Sequence, residues 1–281
     1  MRATDSRVLV TVNGKSITEA DLQRVMQTRQ VPAEMREKYR QQFLDELVDA
    51  RLIRDFLATK KISASKQEVD QQVKQVLELA SKRGDPEQAL ATMGYTNESL
   101  REEFALPLAW KRYIEQAVPQ AQMQRFFAAH RQEFDGTMLR ARQILKRVDS
   151  TDEADWKAAE KEVATLRRQI VEGELSFSEA ARTHSDSPSA SEGGDVGEFP
   201  YSGKMPPNFT HQAFQLKVGE ISPPFRSKAG VHLCQVTERK PGEASLEDVR
   251  DEVISRMSQD LWKQTVAAQK KTAKIEWKSK P

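Results

Sequence analysis

Side chains able to do chemistry crowd into one stretch, His184 to Phe199, HSDSPSASEGGDVGEF. His184, Asp186 and Ser187 carry the imidazole, carboxylate and hydroxyl of a hydrolytic triad. A triad is a spatial constellation, however, and no G-x-S-x-G elbow surrounds Ser187, so covalent acyl transfer is set aside. Gly193, Gly194 and Gly197 suggest a phosphate cradle. Such a cradle follows a strand, opens a helix and ends in Lys-Ser/Thr, and none of this holds here. Histidines 130, 184, 211 and 232 and the single cysteine, Cys234, lack metal-ligand spacing, so neither a metal nor any other cofactor is expected. Cys234 has no disulfide partner in the chain and sits in LCQV, a strand pattern in which a thiol serves as a small core residue.

Downstream, SGKMPPNFTHQAF places Met205 and Phe209 four residues apart on a turn-to-helix segment. That spacing puts both on one side, where they line an apolar pocket or pack as core. GEISPPFRSKAGVHLCQV, Gly219 to Val236, then closes the region with a strand expected over Val231–Glu238.

The surrounding elements read mostly as amphipathic helix. Asn13-Gly14 between Val8–Val12 and Ser16–Ile17 predicts a tight hairpin. Thr18 caps a helix to about Arg29, and Pro32 opens a longer one striped by Tyr39, Phe43, Leu47 and by Leu44, Val48, Leu52. Further helices follow the capping box at Ser65–Glu68, Asp85-Pro86, Asn97 and Pro119, with Pro107 expected to kink its helix or to be accommodated near a bend. At Thr137 the pattern turns to alternation, Leu139, Ala141, Gln143, predicting a strand through Val148. Helices are expected over Asp152–Val171 and Phe177–Thr183. After Lys240-Pro241-Gly242 a long helix runs from Ser245 to about Ala273, striped by Val249, Val253, Met257 and Leu261, with Ile275–Trp277 as a terminal strand. A lone striped helix is marginal in water, so this one should dock on the N-terminal helices.

Composition narrows the partners. The 281 residues suffice for two domains, and 44 Lys and Arg against 42 Asp and Glu leave a formal charge of only +2, which gives no basic footprint for nucleic acid. No apolar run reaches the ~20 residues of a membrane-spanning helix. The opening MRATDSRVLVTV lacks the apolar core of a signal peptide, so the numbered chain is read as cytoplasmic or as a mature chain without its leader.

GGDVGEF, the GKMPPNF…AF block, LKVGEIS-PPF and AGVHL together resemble the parvulin family of peptidyl-prolyl isomerases, over about Thr137 to Arg239. VNGKSIT followed by helices, with a helix after the central region, resembles SurA- and PrsA-type extracytoplasmic chaperones. The resemblance implies an α+β fold. Its helical chaperone-like domain is built from the N- and C-terminal segments, into which a small parvulin-like α/β domain with a mixed, mainly antiparallel sheet is inserted. The expected partition is 1–136, 137–240 and 241–281, the last docking on the first.

The implied activity is rotation about X–Pro amides, assisted by a chaperone frame for exported proteins. No proton or electron need move; the catalyst holds the ring and favours the twisted amide. The resemblance sets Met205 and Phe209 against the prolyl ring, with Val196 where many members carry Leu and Phe214 beneath. It sets Ser187, preceded by Asp186, where parvulins carry a Cys or Asp facing the amide. His232 matches the last-strand histidine and Ser227 the nearby hydroxyl. Gln143 stands where most members place a second histidine, which changes the polarity of the network and implies reduced activity. The alternative is a holdase whose isomerase domain is a weakly active or inactive peptide clamp. Lys146-Arg147 is followed by Asp149, Asp152, Glu153 and Asp155, so no preference for phosphorylated substrates is expected. The expected partners are unfolded or proline-containing polypeptides, with no nucleic acid and no stable membrane insertion; a homodimer is an admissible assembly. The implied compartment is extracytoplasmic, periplasm or cell envelope. Met26, Met35, Met93 and Met123 are candidates for an apolar cradle wall, or for gap-filling core.

Overall fold

A computed structural model describes residues 7–82 and 84–278. The chain forms two compact units, Met1–Gln120 with Ser255–Pro281, and Ala121–Ile254.

The first unit opens with β1 (Val8–Val12) and β2 (Lys15–Thr18), joined where Asn13 and Gly14 take positive φ of 49° and 78°. Two such residues give the turn whose twist matches the paired strands. Thr18 then caps α1 (Glu19–Thr28) in a reciprocal capping box with Asp21. After a single 3-10 turn, α2 (Arg36–Thr59) buries Phe43, Leu44, Val48, Leu52, Ile53 and Leu57, the stripe its spacing predicts. α3 (Lys66–Ser81), α4 (Pro86–Thr92) and α5 (Asn97–Ala117) follow. Pro107 lies inside α5, which continues through it. Proline lacks the N–H that would bond the Glu103 carbonyl, and Glu103 and Pro107 both lie on the exposed side of the helix.

In the second unit, α6 (Gln120–Ala129) and α7 (Arg131–Phe134) lead to β3 (Met138–Arg147). α8 (Glu153–Val171), α9 (Phe177–His184), β4 (Asp195–Pro200), α10 (Pro207–Gln215), β5 (Phe225–Ser227) and β6 (Gly230–Lys240) complete it. The sheet order is β4-β3-β6-β5 and every pairing is antiparallel. Alternation along β3 and β6 splits the core in two. Ile144, Val231 and Leu233 pack with Val163 and Leu166 of α8 and Phe177 of α9. Leu139, Ala141, Cys234 and Val236 pack on the other face with Phe199, Phe209 and Ala213. The chain enters and leaves the sheet side by side: Ala244 N donates to Asp135 O at 3.0 Å and Gly242 N to Thr137 Oγ1 at 3.1 Å.

α11 (Arg250–Lys270) and β7 (Ile275–Trp277) return to the first unit. Trp110 Nε1 donates to Ser258 Oγ at 2.9 Å, and the Trp110 and Trp262 rings meet edge to face at 5.0 Å. β7 pairs antiparallel with β1, giving the order β2-β1-β7. Residues 255–270 of α11 thus group with the N-terminal helices. Met26 and Met123 are buried core, whereas Met93 is exposed.

Candidate active site

On the α10 face of the second sheet, Gln143 lies opposite Cys234, and Leu145 opposite His232. Residues opposite one another in a ladder share a face, so Gln143 and His232 are diagonal neighbours above the same apolar cluster. Around them the structure assembles two polar pairs and one apolar group.

The first pair is Gln143 Nε2 donating to Ser187 Oγ at 2.8 Å. Ser187 is 5% exposed and its hydroxyl also lies 3.0 Å from Ser189 Oγ. The loop after α9 is stitched along β3 to hold it there. Asp186 N donates to Leu145 O at 2.7 Å, Leu145 N to Ser185 Oγ at 3.1 Å, and Gln143 N to Gly194 O at 2.8 Å. Gly194 has φ +84°, and a Cβ there would stand 2.5 Å from Gln143 O. Gly194→Ala is therefore expected to cost on the order of 2–3 kcal/mol and to displace Ser187. Denaturant unfolding checks this; a variant as stable as the parent contradicts it.

The second pair is His232 Nε2 with Ser227 Oγ at 2.6 Å. The imidazole stacks on Phe225 (5.2 Å, 12°) and meets the Phe209 ring at 6.2 Å. Burial holds its pKa down at about 4, so the ring is neutral at physiological pH. Its Nδ1 is buried without a hydrogen-bond partner, and among the described residues no bond joins it to Gln143.

Val196 and Met205 are partly buried against the Phe209 cluster. Val196 is oriented from behind: Arg140 grips Asp195 (Nη2–Oδ2 2.6 Å), and Asp195 Oδ1 accepts Gly197 N at 2.8 Å. The Arg140 guanidinium holds the Asp195 carboxyl below its ordinary range.

Two sequence expectations need correction. Phe209 is fully buried among Phe199, Phe225 and His232, so it is a floor and not a contact wall. Asp186 does not face the amide site: its Oδ2 accepts Arg147 N at 2.8 Å and lies 3.7 Å from Lys146 Nζ, because its loop runs along β3 with the carboxylate turned to the strand end. Phe214 packs against the same cluster, its ring 6.4 Å from that of Phe199, and also meets Tyr201 (5.1 Å) and the Arg239 guanidinium. Ser185, Ser189 and Phe225 were not singled out in the sequence. The SDSPS run and the PPF turn were the signals available for them.

Two family models match this chain. Residues 144–238 match the PPIC-type PPIASE domain (Rotamase), and residues 1–114 match the SurA-like N-terminal domain. The foldase protein PrsA of Caldanaerobacter subterraneus is 28% identical over 253 residues, covering 83% of this chain and 74% of that protein. A chaperone SurA of a Polaromonas species is 35% identical over 152 residues, 52% of this chain, but this chain covers only 31% of that chaperone's length. A crystal structure of peptidylprolyl isomerase (PrsA) from Bacillus anthracis is 24% identical, covering 81% of this chain and 95% of that one, with a TM-score of 0.49. Among the described residues no helix is long and apolar enough to cross a membrane.

Proposed function

From the premise that this chain carries a PPIC-type peptidyl-prolyl isomerase domain and a SurA-like N-terminal domain, we propose that it isomerises X–Pro bonds in exported polypeptides that its helical unit holds unfolded. The observation that carries this reading is the convergence of the Gln143–Ser187 pair with Val196 and Met205 on one sheet face. We take residues 137–240 as the isomerase domain, and the periplasm or cell envelope as the compartment.

Amide resonance sets a barrier of ~18–20 kcal/mol to rotation. Twisting breaks the resonance and leaves the two ends of the bond with different demands. The prolyl ring needs an apolar seat, which Met205 and Val196 form over the Phe209 floor. The carbonyl that swings free needs groups able to follow it, and Ser187 and Gln143 both donate and accept. His232 acts with Ser227 as a neutral packing and hydrogen-bonding pair, not as an acid or base. Since protonation of His232 sets in only near pH 4, kcat/KM should stay flat between about pH 6 and 9. A bell-shaped profile centred near neutrality contradicts this assignment.

A second reading has one observation in its favour: with glutamine at 143, Nδ1 of His232 lacks a partner, and the domain then serves as a peptide clamp. Refolding of a denatured protein whose slow phase is prolyl isomerisation separates the two. Micromolar chain should accelerate that phase and suppress aggregation. Suppression without acceleration leaves the clamp; neither effect removes both readings. Gln143→His supplies an imidazole diagonal to His232 and is expected to raise kcat/KM about fivefold by giving Nδ1 a partner. An unchanged or lower rate contradicts that.

A further inference from the structure

The helical unit holds two guanidinium groups without partners. Arg51 and Arg54 lie three residues apart on α2, hence on one side of the helix. Among the described residues neither makes a hydrogen bond or an ion pair, and the buried Arg51 Nε has no partner at all. Burial, with Arg51 alongside, pushes the pKa of Arg54 down from its ordinary value. Uncompensated charges of this kind are costly, and each retains unused donors in the fork geometry that fits a carboxylate.

These arginines border a cavity of about 300 Å³ between α2 and α5. Its walls are Leu57, Ile62, Ala64, Ala105, Leu106 and Ala109. On their other side lies a smaller cavity of about 60 Å³, reaching Arg24, Asp21 and Glu103. Arg24 is already paired with Asp21. Glu102, on the rim, and Glu103 act on Arg54 only at longer range, beyond ion-pair distance. The site therefore joins an apolar hollow the size of one or two side chains to a pair of unsatisfied cations.

We propose that this cavity receives an apolar side chain of an unfolded polypeptide with a carboxylate beside it, the carboxylate closing on Arg51 and Arg54. The proposal rests on the chaperone reading and names the segments that the helical unit selects. Charge complementarity fixes the occupant: a purely apolar segment leaves both guanidiniums unpaired, and a basic one adds to the repulsion. Glu102 competes weakly for the same cations.

The test uses the full chain and fluorescence anisotropy with three labelled unfolded peptides, identical except for Leu-Glu, Leu-Gln or Leu-Lys pairs. The Leu-Glu peptide should bind about tenfold tighter than Leu-Gln at low salt, Leu-Lys weakest, and the gap should narrow near 0.5 M salt. The double variant Arg51→Gln, Arg54→Gln should lose the preference while keeping its Leu-Gln affinity and its isomerase rate. Glu102→Gln should tighten Leu-Glu binding about threefold, a gain that misfolding cannot produce. Equal affinities, or a preference that survives the double variant, overturn the proposal and leave the chaperone reading intact. Failure to bind any of the peptides overturns both.

Discussion

Phe209→Ala is expected to destabilise the isomerase unit by about 3–5 kcal/mol, the range for truncating a fully buried phenylalanine. The ring is 0% exposed and meets Phe199 at 5.8 Å, Phe225 at 6.1 Å and His232 at 6.2 Å. Its loss opens a void beneath both the Phe225–His232 stack and the seat formed by Met205 and Val196. Activity should therefore vanish together with the fold, and a rate measured on this variant says nothing about contact with substrate. Met205→Ala separates the two effects. Met205 is only partly buried, so its truncation should cost about 1 kcal/mol of stability while lowering kcat/KM about tenfold. Denaturant titration of both variants is the check. The assignment of floor and wall fails if Phe209→Ala stays within 1 kcal/mol of the parent, or if Met205→Ala is the more damaging to stability.

The second large effect lies in the helical unit. Glu19 opens α1 with only 6% exposure and accepts hydrogen bonds from Arg40 at 2.8 and 3.1 Å, from Arg7 at 2.7 Å and from Gln23 at 2.9 Å. Hydrogen bonding to Arg40, above all, outweighs burial and holds its pKa at about 2. Glu19→Ala leaves Arg40 facing a void and should cost ~2–3 kcal/mol, discounted for the partial exposure of Arg40. The pH dependence has a definite sign. The folded pKa lies below the ordinary 4.5, so the unfolded chain binds the proton first as pH falls. The contribution is complete above about pH 4.5 and is lost as pH descends toward 2. At higher pH His232 has already eroded the other unit, because its depressed pKa makes its contribution complete above about 6.5 and lost toward 4. Urea titrations of parent and Glu19→Ala at pH 7, 4 and 3 should therefore converge as the pH drops. Parallel curves with a constant gap contradict the role given to Glu19.

These two residues also mark how far the chain could be read before its structure. Features governed by neighbouring residues were legible. The Asn13-Gly14 hairpin and the Thr18 cap follow from turn chemistry and capping. Met205 precedes α10, so helical spacing does not relate it to Phe209, although both pack in one cluster. Spacing could not reveal that Phe209 is sealed, since Phe199, Phe225 and His232 close over it from three other segments. Strand β4 escaped notice because Gly197 breaks its alternation and Arg140–Asp195, a contact 55 residues apart, holds it in place. Asp186 and Ser187 are adjacent in sequence, yet their side chains diverge. The loop pairs with β3 so that one carboxylate meets Arg147 N and the next hydroxyl meets Gln143. The unpartnered arginines on α2 were invisible for the same reason: charge on a helix usually faces water, and the burial of Arg54 comes from residues distant in sequence.

The central claim is that an apolar seat beside Ser187 and Gln143 catalyses rotation about the X–Pro bond. Its most direct test is magnetisation-exchange NMR on a short X–Pro peptide, with and without the chain. Micromolar chain should bring isomer exchange from tens of seconds into the sub-second range, with about tenfold loss in folded Met205→Ala and Ser187→Ala variants. Exchange no faster than in buffer, or equal catalysis by the parent and both variants, would contradict it.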